Sequence, residues 1–157
     1  MRKHAQLSIS YAGSPLVSEA DPVAPSVQPG ERAPDVRGLT RDMVAFPVRL
    51  FELFAGVNHT LLLFGPAEIE ESDIREFEDL ATRAVDAAHG KLDVYLISST
   101  PVESILPVVI DREGEFAAAY GTADLSAFVI RPDGYLGHRE SPAGVTGVLT
   151  HLSRTFA

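Results

Sequence analysis

The side chains that could do chemistry in this chain are few, and none of them is a thiol. The 157 residues include five histidines and no cysteine. Without cysteine, disulfides, Cys-x-x-Cys redox chemistry and cysteine-ligated zinc are excluded. No two histidines stand at a metal-ligand spacing such as His-x-His or His-Glu-x-x-His. We therefore expect no metal site, and surface or capping roles for His59, His89 and His151. The remaining two are His4 and His138.

Motifs that carry other catalytic chemistry are also missing from the sequence. No serine stands in a Gly-x-Ser-x-Gly elbow, and neither Gly-x-Gly-x-x-Gly nor a P-loop occurs. Asp111 and Asp133 belong to the turn-like stretches 111–114 and 132–134, so turn chemistry accounts for both aspartates. We therefore predict no catalytic, cofactor-binding or metal-binding residue in this chain.

The charge and the apolar pattern of the chain limit the kinds of partner and compartment that we expect for it. The formal net charge is −9, which argues against unaided binding to nucleic acid or to an anionic membrane. The longest apolar run, residues 61–64, is far too short to cross a bilayer. The basic start of the chain lacks the apolar core of a secretory leader. Since the absence of cysteine also suits a reducing compartment, we expect a cytoplasmic protein.

The first part of the chain is predicted to be an extended arm, residues 1–38. It carries a short alternating stretch, and prolines then break any regular structure. We expect the apolar members of this arm to form an interface, docked on the chain's own core or on a second copy as a homodimer. These interface residues are Leu7, Ile9, Tyr11, Pro15 and Leu16.

The remainder, residues 39–157, has the pattern of one α/β domain. A buried strand at 59–64, a helix with Ser72 as its N-cap and a strand at 92–97 predict a parallel βαβ unit. A short helix, a β-hairpin and a last helix follow. This order is that of the thioredoxin fold. The later elements are predicted at 113–120, 127–130, 135–139 and from Ser141 onward.

Residues 65–68 occupy the place where a thioredoxin carries its reactive cysteine. Backbone N–H groups between a strand end and a helix start favour anions. Here, however, seven acidic residues follow within twelve positions and only Arg75 opposes them. We expect these carboxylates to be solvated and to stabilise the helix dipole rather than to hold a ligand. They are Glu68, Glu70, Glu71, Asp73, Glu76, Glu78 and Asp79.

Several ordered motifs resemble one enzyme family. They are the stretches 29–36, 48–53, 59–64, 111–114, 119–121 and 129–137. Their order and spacing resemble the thioredoxin-like C-terminal domain of FAD-dependent aromatic-ring hydroxylases, the phenol, hydroxyphenylpropionate and polyketide monooxygenases. Residues 6–11 and 14–16 resemble the end of the flavin-bearing part of those enzymes.

The resemblance implies a non-catalytic role for this chain. In the family, FAD and NAD(P)H are bound by upstream domains, so no cofactor is expected here. The implied role is structural: docking on a flavin-domain protein or self-association. The alternative is a free-standing, redox-inactive thioredoxin-like protein that binds a small molecule or a partner.

Overall fold

The computed structural model describes residues 27–41, 46–141 and 145–157; for Val145 it describes only the backbone. The predicted strand at 7–11, the five interface residues and Pro142 therefore lie outside the described residues. Within them, no helix combines the length and the apolar character needed to cross a membrane.

The described residues form six strands and four helices. The strands are β1 (Thr40–Arg41), β2 (His59–Gly65), β3 (Leu92–Ser98), β4 (Val108–Ile110), β5 (Ser126–Ile130) and β6 (Leu136–Glu140). The helices are α1 (Leu50–Leu53), α2 (Glu71–Ala87), α3 (Glu115–Tyr120) and α4 (Val145–Thr155).

One mixed sheet holds all six strands in the order β1-β4-β3-β2-β5-β6. The predicted βαβ unit is confirmed, because β2 and β3 pair in parallel over their whole length with α2 between them. The hairpin is confirmed as well. β5 and β6 pair antiparallel, and the turn between them is closed by a bond from the Gly134 N–H to the Arg131 carbonyl at 2.9 Å.

The N-cap of helix α2 lies two residues before the predicted one. Glu70, not Ser72, is the N-cap, and its side chain accepts from the Asp73 N–H while the Asp73 carboxylate accepts from the Glu70 N–H at 3.1 Å. This reciprocal pair satisfies two amides at once, which Ser72 alone would not do. At the other end the chain leaves the helix through His89 and Gly90, both at positive φ.

The sheet separates two apolar clusters. Helices α2 and α4 cover one face, where Leu61, Leu63 and Leu96 are fully buried. Helices α1 and α3 cover the other face, packing over Leu62 and Phe64. Strand β2 is therefore buried on both sides, as its continuous apolar run predicted.

The described part of the predicted arm lies on the second face. Val27, Ala33 and Val36 are all buried in the cluster that contains α1 and α3. Residues 27–38, which we call the docked segment, therefore pack against the sheet. The boundary drawn at residue 38 stays a prediction.

Candidate functional site

The corner between β2 and α2 is filled by an aliphatic side chain. A Cβ added at Gly65 would overlap Ile69 Cδ1 and lie 3.3 Å from Ile69 Cγ1. The Ile69 N–H donates to the Pro66 carbonyl at 3.0 Å and closes the turn. The place of a reactive thiol is thus occupied by glycine and its packing partner.

The acidic residues beyond this corner have structural contacts. Glu70 and Asp73 form the capping box of α2. Arg75 donates to Glu71 at 2.6 Å in an exposed pair one helical turn apart. The Glu70 and Asp73 carboxylates already accept hydrogen bonds from amides at the start of the helix. Their negative charge therefore disfavours an anionic ligand at this corner.

Buried hydroxyls lie at the same edge of the sheet. The Ser126 hydroxyl donates to the Asp124 carbonyl at 2.8 Å and also contacts the Thr122 hydroxyl. The Ser98 hydroxyl accepts from the Thr100 N–H at 3.4 Å. A serine nucleophile needs a base within hydrogen-bond reach. The contacts described for these hydroxyls are to backbone groups and other hydroxyls, so they stabilise loops.

The two predicted turn aspartates do have turn roles. Asp111 is buried, and its Oδ2 accepts from the Phe116 and Ala117 amides of α3 at 3.1 and 3.3 Å. Asp133 accepts from Arg131 at 2.7 Å and from the Tyr135 N–H at 3.3 Å. Both carboxylates are therefore used to hold local backbone geometry.

The histidines differ from the prediction at one position. His151 is buried and stacks on His138, with ring centroids 5.0 Å apart, so a surface or capping role for His151 is wrong. Burial, with a smaller effect of neighbouring positive charge that includes Arg154, lowers the pKa of each ring to about 4. A sequence signal existed, because His151 falls on the apolar stripe of α4 beside Val148 and Leu152.

Two other histidines pack near the chain end. The His59 ring meets Phe156 edge-on at 4.9 Å, and burial lowers its pKa. A ring nitrogen of His89 lies 3.1 Å from the Phe156 carbonyl, which matches the predicted capping role. In the described residues no group of three histidine, aspartate or glutamate side chains is arranged to hold a metal ion.

The docked segment is held by two side chains that the sequence analysis did not select. Arg139 is 9% exposed, and it donates to the Val27 carbonyl at 2.8 Å and to the Gly121 carbonyl at 3.2 Å. The Tyr120 hydroxyl donates to the Pro34 carbonyl at 2.9 Å. Burial raises the pKa of Tyr120, which keeps this donor protonated.

Backbone bonds tie the same segment to the start of β6. Gly30 N–H donates to the Leu136 carbonyl, and Leu136 N–H donates to the Glu31 carbonyl, each at 2.8 Å. Arg32 lies over both the Phe51 and the Tyr135 rings, at 5.7 and 5.8 Å from their centroids. The segment is thus an extension of the sheet region rather than a loose linker.

A second pair of contacts fixes the end of the docked segment against α1. Asp35 forms an ion pair with Arg49, whose Nε donates to it at 2.8 Å, and Asp35 also accepts from the Phe51 N–H at 3.1 Å. Together with the bond from Arg139 to Val27, these contacts fix the docked segment at both of its ends.

Comparison with known proteins identifies the fold. No family model matches the chain, and no curated protein matches it. Peroxidoxin BcpB from Mycobacterium tuberculosis is 21% identical with a TM-score of 0.61, covering 80% of this chain and 96% of that one. The thioredoxin domain of a thiol-disulfide oxidoreductase from Bacteroides vulgatus is 16% identical with a TM-score of 0.63, covering 84% and 100%.

A larger enzyme also contains this fold. Aklavinone-11 hydroxylase, solved as a ternary complex with FAD and aklavinone, is 20% identical with a TM-score of 0.59. The match covers 99% of this chain but 26% of the hydroxylase. The chain therefore has a thioredoxin-like fold without cysteine, and it spans about a quarter of the hydroxylase chain that it matches.

Proposed function

We propose that this chain is a non-catalytic thioredoxin-like domain of an FAD-dependent aromatic hydroxylase, with a structural role in docking on the flavin-bearing part. One observation carries the proposal. The match to aklavinone-11 hydroxylase extends over 99% of the chain, whereas the matches to the two thiol-redox proteins cover 80% and 84%. The additional coverage is what a domain taken together with its connection to a larger enzyme would give.

The chemistry of the corner supports a role without catalysis. A thioredoxin-type reaction needs a thiolate at the start of the first long helix. Here Ile69 packs against Gly65, and Glu70 caps the helix. The flavin and the substrate chemistry would belong to the partner domain.

The docked segment supports a role in orientation. Arg139 and Tyr120 fix the backbone at Val27 and Pro34, two points that are separated along the segment. Residues 27–34 would therefore give an upstream domain a fixed point of attachment on this one. Such a connection favours a defined packing of the two parts.

The test is association with the flavoprotein encoded upstream of, or next to, this chain. The purified chain and that FAD-containing protein are mixed, with a free-standing thioredoxin as the control of the same fold. We expect a complex by sedimentation velocity, and slower loss of FAD from the flavoprotein. The absence of such a reading frame, or no association at about 100 µM, would overturn the proposal.

The alternative is a free-standing binding protein. It is favoured by the match that covers 96% of BcpB, which means that the chain contains nearly the whole of a small thioredoxin-like protein. The same experiment separates the two proposals. If the chain does not associate with the flavoprotein but binds another ligand, the result supports the free-standing role.

A further inference from the structure

The first half of β3 has one open edge. β2 pairs with β3 along its whole length, from Leu92 to Ser98. On the opposite side β4 pairs only with the last three residues, 96–98. In the part of the chain that the structure describes, no strand pairs with residues 92–95 on that side.

A proline ends the ladder between β3 and β4. The Leu96 N–H donates to the Pro107 carbonyl at 2.9 Å. The next bond of a parallel ladder would run from the N–H of residue 107 to the Val94 carbonyl, and proline has no N–H. Alternate residues of a strand direct their backbone groups to the same side, so Leu92 and Val94 direct theirs to the open edge. Such an edge is a template for another strand.

An apolar groove of about 500 Å³ runs beside the same edge. Ala81 and Val85 of α2 form one wall, and Leu106 forms the other. The second wall is held in place, because the Glu78 carboxylate accepts from the Ile105 N–H at 3.0 Å. The groove thus has an edge for backbone pairing and a preformed apolar side.

The opposite face of the open edge carries a negative charge. Asp93 lies on that face, since it alternates with Leu92 and Val94. Its carboxylate is half-buried, and its described partner is the neutral side chain of Asn58, whose Nδ2 lies 3.4 Å from Oδ1. A strand that completes this edge is therefore stabilised by a cation placed opposite Asp93.

A second copy of this chain does not fit the edge. Two copies would pair antiparallel about a two-fold axis, which sets one residue opposite itself. With Val94 opposite itself, Leu92 would face Leu96, whose edge β4 already occupies. With Asp93 opposite itself, two carboxylates would meet. With Leu92 opposite itself, Val94 would have to pair with Gly90, which is at positive φ and has left the strand.

We propose that this edge binds an extended segment of another protein, in which apolar side chains alternate with a lysine or an arginine. The segment runs antiparallel to β3 and exchanges backbone bonds with Leu92 and Val94, while its apolar side chains fill the groove. The cation between them points to the other face, opposite Asp93. Residues that exchange no backbone bonds approach most closely in an antiparallel pair, so the two charges meet there.

The test uses the full chain and three synthetic pentapeptides. The probe is acetyl-Thr-Val-Lys-Val-Thr-amide, and the two controls replace its lysine with glutamate or methylate the backbone nitrogens of both valines. Binding is measured by titration of the Val94 amide signal and by its hydrogen exchange, which the probe should slow. We expect the glutamate peptide to bind about fivefold more weakly than the probe. The methylated peptide keeps every side chain but loses two donors, so its affinity should fall by about tenfold or more.

Two variants of the chain check the position of the cation. Asp93→Asn keeps an acceptor for Asn58 and removes the charge, and Asp86→Asn is the matched control, because it removes an exposed charge on α2. In Asp93→Asn the lysine and glutamate peptides should bind within about twofold of each other, whereas Asp86→Asn should keep the difference of about fivefold.

Three results would overturn the proposal. The first is no change at the Val94 amide with about 2 mM probe, and the second is equal binding of all three peptides. The third is a Val94 amide that is already protected without peptide, which would assign the edge to another part of this chain or, if protection rises with protein concentration, to a second copy. The proposal does not rest on the proposed function, because β3 lies three positions from β6, to which the docked segment is bonded.

Discussion

Arg139 donates a hydrogen bond of 2.8 Å to the carbonyl of Val27, a residue 112 positions earlier in the chain. The guanidinium also lies 5.2 Å from the centroid of the Phe128 ring and bonds the Gly121 carbonyl. One buried cation thus joins the docked segment, the end of α3 and the hairpin. Because Val27 belongs to the apolar cluster that contains α1 and α3, this bond holds the docked segment over that face of the sheet.

Replacing Arg139 with methionine is expected to destabilise the domain by about 2–4 kcal/mol, since charge-assisted bonds to a buried and a half-buried carbonyl are lost. Arg112→Met is the control, because Arg112 is exposed. Urea unfolding followed by circular dichroism measures both. A loss below about 0.5 kcal/mol in Arg139→Met would mean that the segment is held by its backbone bonds alone.

The order of elements was predictable because it depends on local patterns. An apolar run, a helical stripe and a second run specify the parallel pair of β2 and β3 before any contact is known. The docked segment was not predictable in the same way. Its prolines indicate a linker, while the contacts from Arg139 and Tyr120 come from more than 80 residues away.

The pairing of His138 with His151 was hidden by an irregular register. Val129 pairs with His138, but Ile130 pairs with Leu136, so Gly137 is an extra residue in β6. The bulge breaks simple alternation, and Leu136 and His138 face opposite sides although they are two positions apart. No pattern in the hairpin sequence predicts that shift. The role of Gly65 was similarly hidden, since it depends on where Ile69 packs.

The His138–His151 pair predicts a decrease in stability under mildly acidic conditions. Burial lowers the pKa of both rings from the ordinary 6.5 to about 4, so the folded protein favours neutral rings. Their contribution is complete above pH 6.5 and is lost as the pH falls from 6.5 towards 4, because the unfolded chain takes up protons first. The slope is at most about 1.4 kcal/mol per pH unit for each ring.

The measurement is the free energy of unfolding from pH 7.5 to 4.5. His151→Leu should flatten the curve across this window, since Leu fills the buried position without titrating. Ser153→Ala is the control in the same helix, because Ser153 is exposed and its replacement removes no ionisable group. Identical slopes for the unmodified chain and His151→Leu would contradict the assignment.

The purified chain is expected to bind neither FAD nor NADPH. A dinucleotide needs a glycine-rich turn that brings backbone amides to the pyrophosphate, and the sequence contains no such turn. Gel filtration after incubation with FAD, with absorbance read at the flavin bands, checks this. A yellow protein peak that survives the column would show that another part of the chain holds flavin.

Thiol-dependent activity is also expected to be absent. Peroxide reduction and disulfide exchange in this fold both require a thiolate, and the chain has no cysteine. Hydrogen peroxide consumption and insulin disulfide reduction are measured against a heat-treated sample. Turnover above that control would require a different reducing group and would end the non-catalytic assignment.

The last prediction concerns the filled corner. Gly65→Ala is expected to destabilise the domain by about 1–2 kcal/mol, because the new Cβ overlaps Ile69 Cδ1 and forces that side chain to move. Gly56→Ala is the control, since the nearest atom to its added Cβ, Asp93 Oδ2, is 3.8 Å away. In an Ile69→Ala background the cost of Gly65→Ala should fall to near zero, which a double-mutant cycle measures by chemical unfolding. An equal cost in both backgrounds would place the strain in the backbone at residue 65. The absence of a side chain there would then reflect chain geometry, and Ile69 would not be the residue that excludes one.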